Sequence, residues 1–129
     1  MRARAGFPAA LATLLAVAAL APPGDAKPPP PPTRLLVRGQ EYKLLLSSLK
    51  VNPGNALVQY VNAGEDPHDL QIQRIGGGEQ LSIGELAPGD VGELGLHLER
   101  DSRYEMWCSL PNHRELGMEA SVRVRRKRR

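Results

Sequence analysis

The sequence predicts an all-β fold, a sandwich of about eight short strands, and three observations carry that expectation. Between residues 34 and 124 the apolar side chains recur with period two in short runs. No stretch of helix length in that region shows the 3.6-residue period of an amphipathic helix. The breaks between runs are rich in Gly, Pro, Asn and Asp, residues that accept positive φ or hold φ near about −65°.

Taken in order, the candidate strands are 34–37, 41–51, 56–62, 68–74, 80–83, 91–98, 104–108 and 119–124. Asn52-Pro53-Gly54-Asn55 and Ala87-Pro88-Gly89-Asp90 are turns by composition. Gly76-Gly77-Gly78 reads as a hairpin turn, since a phosphate cradle would need a helix after it. Alternation is clearest over 91–98, with Leu94, Leu96 and Leu98 on one face and Glu93 and His97 on the other. His97 is therefore expected to be a solvated strand histidine.

With 129 residues the chain can build one core but not two independent ones. Residues 1–26 have the three parts of a signal peptide: Met-Arg-Ala-Arg, a largely apolar run over 7–21, and the small-residue stretch Gly24-Asp25-Ala26, with cleavage expected after Ala26. That run is shorter than the ~20 residues needed to span a bilayer. Ala3 separates Arg2 from Arg4, so the twin-arginine signal is missing and export by the general secretory route is expected. Residues 27–33 form a linker whose five consecutive prolines favour an extended polyproline II rod. The folded domain then covers 34–124, and 125–129 is a basic tail.

The formal charge of +3 is a property of that end of the chain, because six of the seventeen Lys and Arg lie in the last seven positions. Residues 27–122 carry nine Lys or Arg against thirteen Asp or Glu. An acidic body does not support a basic nucleic-acid-binding face, and no nucleic-acid partner is expected. The tail reads as a solvated terminus or as a weak electrostatic contact with an anionic envelope surface. A monomer is expected. Cys108 is the only cysteine, so a disulfide within the chain is impossible, and a thiol exported to an oxidising compartment needs protection that a metal ion would provide.

The chemistry is concentrated in one segment. After a strand, Cys108, His113 and Met118 follow at the spacing C-x4-H-x4-M, and His68 stands forty residues before Cys108, directly after Pro67. Two imidazoles, a thiolate and a weak thioether match the trigonal His2Cys plus axial Met site of a blue copper centre. Structural zinc sites close with four strong ligands, and Met118 would be an odd fourth, although zinc could still occupy the site. Taken singly, each residue has another reading: Met118 as a core gap-filler, Cys108 as a buried thiol, His68 as a turn residue.

The segment Asp66-Pro67-His68-Asp69-Leu70, together with Tyr104-x3-Cys108-x4-His113-x4-Met118, resembles the cupredoxin family of plastocyanin, azurin and rusticyanin over nearly all of residues 34–124. The resemblance implies a Greek-key β-sandwich with one copper ion at one end. It makes His68, Cys108 and His113 the equatorial ligands and Met118 the long axial one, with electrons passing at the exposed edge of His113. The sequence departs from the family at Asp69, where an Asn often ties the ligand loops together, and at Asn112, where Gly is common. Aspartate can accept a backbone N–H near Ser109, and Asn is the best non-Gly residue for positive φ.

The expected function is that of a one-electron carrier, cycling Cu(I) and Cu(II) and meeting redox partner proteins through an apolar patch of Pro67, Leu110, Pro111 and Leu116 around His113. An enzyme would need a second copper centre or an open coordination position with an acid–base group, and no enzymatic activity is expected. The alternative is a copper-sequestering or copper-delivering protein without a dedicated redox partner. Beyond residue 26 only Met106, Met118 and three histidines are present, fewer exchangeable ligands than delivery proteins tend to offer.

Overall fold

A computed structural model describes residues 24–126, so residues 1–23 of the expected signal peptide and residues 127–129 of the basic tail lie outside the described part. Nine strands follow in order: β1 (Thr33–Gln40), β2 (Lys43–Leu46), β3 (Lys50–Val51), β4 (Gly54–Asn62), β5 (His68–Arg74), β6 (Leu81–Leu86), β7 (Val91–Leu98), β8 (Arg103–Trp107) and β9 (Glu119–Val124). They form two sheets, one ordered β2-β1-β4-β7 and the other β3-β9-β8-β5-β6. The pairs β1–β4 and β3–β9 are parallel, and the remaining neighbours are antiparallel.

Period-two patterning places the core. Leu35 and Val37 of β1 and Ala56, Val58 and Tyr60 of β4 point inward from the first sheet, joined by Leu98 at the end of β7. Leu70, Ile72, Ile83, Tyr104, Met106, Val122 and Val124 are the corresponding buried residues of the second sheet. His97 is exposed on the outer face of β7, with its Nδ1 3.2 Å from Asn55 Oδ1, as the alternation predicts.

The strand expected over 41–51 is two strands in different sheets. Residues 41 and 42 form the turn between β1 and β2, while β2 pairs with β1 and β3 crosses to pair with β9. Serines make the crossing. Ser47 Oγ accepts the Leu36 N–H at 3.0 Å, and Ser48 Oγ donates to the Lys50 carbonyl at 2.7 Å, so side chains supply bonds that a continuous ladder would have used. The apolar run Leu44-Leu45-Leu46 hides this break from a reading of periodicity.

In β5 all residues from His68 to Ile72 are buried, against simple alternation. Its outward-parity polar side chains are covered by partners from other segments: Asp69 by Ser109, Gln71 by Ser82 and Gln80. This strand begins at the end of the sandwich where the candidate ligands gather.

Two strand glycines make a test of the packing. A Cβ on Gly39 would lie 2.2 Å from the buried Tyr60 hydroxyl, whereas a Cβ on Gly95 meets nothing within 4 Å. Gly39→Ala should cost about 1–3 kcal/mol in urea unfolding through overpacking, and Gly95→Ala should be neutral or slightly stabilising. Equal effects of the two substitutions would contradict the packing described.

Candidate metal centre

His68 opens β5 after the exposed Pro67, and Cys108 directly follows β8. From Cys108 the chain runs through a compact turn region to Met118, immediately before β9. Backbone bonds shape that loop: His113 N–H donates to the Leu110 carbonyl at 3.1 Å, Leu116 to Asn112 at 3.1 Å and Met118 to His113 at 3.0 Å. Cys108 N–H donates to the Met118 carbonyl at 3.1 Å and closes the loop at its base. Asn112 has φ 64° and Gly117 φ 114°, so the position where the sequence departs from the family's common Gly does require the left-handed region.

Three donors converge at this end of the sandwich. Cys108 Sγ lies 3.5 Å from His113 Nδ1 and 3.9 Å from His68 Nδ1, and the two imidazole nitrogens are 3.1 Å apart. These ligand atoms all lie within 4.8 Å of one another, an arrangement able to hold a metal ion. His68, Cys108 and Met118 have no exposed surface, and His113 is part-exposed. The four predicted residues thus share one loop and the strand beside it. A soft sulfur and two nitrogens in a buried pocket, with a methionine at the base of the same loop, fit copper in chemistry. Burial pushes the Cys108 thiol up from its ordinary value, and because the thiolate is the ligand, metal binding at this position releases a proton.

Asp69 ties the two ligand segments together. Its Oδ1 accepts the Ser109 N–H at 2.6 Å, and its Oδ2 accepts from the Ser109 hydroxyl and, at 2.8 Å, from Gln71 Nε2. Burial alone would raise the Asp69 carboxyl, but the bonds from Ser109 and Gln71 outweigh it and leave the group below its usual range. On the opposite side of β8, Trp107 is half-buried beneath the Arg114 guanidinium, 4.6 Å from the ring centroid. Arg114 also bonds Glu105 at 3.0 Å and Glu119 at 2.8 Å, joining the loop to β8 and β9.

Two residues at the site, Glu41 and Tyr42, were assigned by sequence to the start of the strand expected over 41–51. They form the β1–β2 turn instead. Glu41 Oε1 lies 2.8 Å from His68 Nε2, and the Tyr42 ring packs edge-on to His113 with centroids 5.0 Å apart. Glu41 is held at about pKa 2, first by the Asp66 N–H, with burial acting the other way. An ionised carboxylate only accepts, so His68 Nε2 is the donor in this bond, and in the neutral imidazole Nδ1, on the side of Cys108 and His113, is the nitrogen that carries the lone pair. The sequence offered one faint signal, the mostly polar stretch Arg38-Gly39-Gln40-Glu41-Tyr42-Lys43 between two apolar runs.

No protein-family model and no curated protein sequence matches the chain. Solved structures do. The chain is similar to an auracyanin of the photosynthetic bacterium Roseiflexus castenholzii, at 16% identity and TM-score 0.57, over 70% of this chain and 95% of that one. It is similar to auracyanin A of Chloroflexus aurantiacus, a "blue" copper protein, at 13% identity and TM-score 0.57, over 73% and 99% of the two chains. A multicopper oxidase matches at 15% identity and TM-score 0.51, over 70% of this chain and 42% of the oxidase. At these identities the likeness shows the fold, which is the cupredoxin-like all-β sandwich that the sequence resemblance implied.

Removing the Asp69 tie should be visible without any metal. Asp69→Ala leaves the Ser109 N–H without its carboxylate and should lower stability by about 1–3 kcal/mol, while Asp69→Asn, which keeps an acceptor, should lose less. Urea unfolding of the metal-free chain measures both, and an equal loss in the two variants would contradict the role given to the accepted N–H.

Proposed function

We propose that this protein is a mononuclear type 1 copper protein that carries one electron at a time, with His68, Cys108, His113 and Met118 as the copper ligands. The observation that carries the reading is the convergence of His68 Nδ1, His113 Nδ1 and Cys108 Sγ within 4.8 Å at one end of a cupredoxin-like sandwich. Bound copper would supply a one-electron couple.

The chain's own residues supply the rest. His68, Cys108 and Met118 are buried, which keeps water from the thiolate and the thioether. The closed backbone bonding of the 108–118 loop holds the donors in place, so little rearrangement has to accompany a change in charge. His113 is the part-exposed member of the set, and Pro67, Pro111 and Leu116 are exposed, with Leu116 at 57%. That combination supports contact with redox partner proteins at this end. An electron carrier is favoured over an enzyme because the ligand set is complete with protein side chains and leaves no position for a substrate.

Export to the cell envelope, with the proline-rich segment as a spacer, belongs to the same reading and rests on the form of residues 1–32. Among the described residues no helix is long and apolar enough to cross a membrane. In the described part of the basic tail, Arg126 Nε pairs with Asp101 at 3.0 Å with its side chain 81% exposed, and Arg125 donates to Asn52 at 3.2 Å.

One equivalent of Cu(II) added to residues 27–129 should produce an intense visible thiolate-to-copper band, and Cys108→Ser should abolish it. Met118→Leu should keep the copper and raise the reduction potential, since it removes a donor that favours Cu(II). Colourless, weakly held copper in the unsubstituted chain would overturn the carrier reading and leave sequestration or delivery as the alternative.

A further inference from the structure

The turn between β1 and β2 holds a carboxylate in a cradle built for it. Glu41 Oε1 accepts three hydrogen bonds: from His68 Nε2 at 2.8 Å, from the Glu65 N–H at 2.9 Å and from the Asp66 N–H at 2.8 Å. A side chain at position 64 would destroy the arrangement, because a Cβ on Gly64 would lie 2.3 Å from Glu41 Oε1. The cradle is itself fixed from below. Buried Asn62 accepts the Gly64 N–H at 3.0 Å and donates to the carbonyls of Asp66 and Leu86, each at 2.9 Å. Nothing in the hydrophobic core demands a clamped anion here, and His68, which it touches, has no exposed surface.

We propose that Glu41 is the positioning residue of the metal centre, fixing the tautomer and ring plane of His68 and, through its negative charge, favouring the oxidised over the reduced metal. The inference rests on the copper reading for its second half only. A His that donates its far N–H to a carboxylate presents the other nitrogen to a metal in one orientation, and the ligand becomes more basic. A fixed anion beside a buried imidazole also attracts the doubly charged ion more than the singly charged one, in a setting poorly screened by solvent. The partly exposed side chain, 24% by area, weakens this attraction without removing it.

The two halves are tested separately. In the metal-free protein, the nitrogen chemical shifts of the His68 ring should report a single tautomer protonated at Nε2, and Glu41→Ala should give a mixture of tautomers. An unchanged tautomer in Glu41→Ala overturns the positioning role whether or not the protein binds copper.

In the copper-loaded protein, Glu41→Gln keeps an acceptor oxygen but loses the charge. It should retain the visible band and lower the ratio of Cu(II) to Cu(I) affinity about tenfold, a rise in potential of about 59 mV for a one-electron couple. Glu93→Gln, on the exposed outer face of β7, is the control for a general charge change and should alter the ratio less than twofold. Gly64→Ala, which displaces the carboxylate without altering any charge, should move the potential in the same direction as Glu41→Gln. If Glu41→Gln matches the Glu93→Gln control while the unsubstituted chain shows its band, the electrostatic half falls and the copper reading stands. If the unsubstituted chain shows no band, the copper reading falls together with that half.

Discussion

The antiparallel pairing of β5 with β8 is the constraint on which the site depends. Ile72 lies opposite Met106 and Gln71 opposite Trp107, so the start of β5 and the end of β8 necessarily meet at the same end of the sheet. His68 opens the one strand and Cys108 directly follows the other, which closes a sequence gap of forty residues without any contact between the side chains being required first. A slip of one residue in this register would turn Cys108 from the interior toward the outer face, where Trp107 now lies. The buried residues Tyr104 and Met106, on the same face as Cys108, hold the register by packing into the core.

Polar bonds then hold the donors in place on that frame. His68, Asp69, Gln71 and Asn62 are all buried, and each has hydrogen-bond partners on a different segment of chain. Burying such groups costs free energy unless every donor and acceptor is matched, so matched groups admit few alternative arrangements. Asn62 fixes the loop after β4, Asp69 joins β5 to the 108–118 loop, and Cys108 and Met118 close that loop on each other. The Tyr60 hydroxyl is the exception among the described residues, a buried side-chain oxygen without a partner, seated over the bare backbone of Gly39.

The two imidazoles occupy different environments although both offer Nδ1 to the same point. His68 is fully buried and carries a carboxylate on its far nitrogen; His113 is part-exposed, and Tyr42 packs edge-on against its ring. Both neighbours come from one two-residue turn, so the β1–β2 connection touches both histidines of the cluster. One ring is suited to holding the centre in place and the other to meeting the outside.

The sequence by itself determined the all-β class, the bounds of β5, β7 and β9, the outward His97, and the convergence of His68, Cys108 and His113. These follow from local rules: period-two patterning, turn residues, and a donor set whose spacing is short enough to lie on one loop and one neighbouring strand. The positive φ at Asn112 and the acceptor role of Asp69 toward Ser109 were legible for the same reason, since each concerns what one residue type can do. Only the tertiary structure decided that 41–51 breaks into two strands in different sheets and that Glu41 and Tyr42 reach the site. Periodicity records which face of a strand is apolar but not which sheet the strand joins, and the Leu-rich stretch after Tyr42 looks the same on either side of the crossing. Glu41 is twenty-seven residues from His68, and what brings them together is the parallel pairing of β1 with β4, which places the β1–β2 turn beside the loop leading into β5. A pairing between distant segments depends on the packing of the whole sandwich, and no local pattern encodes it.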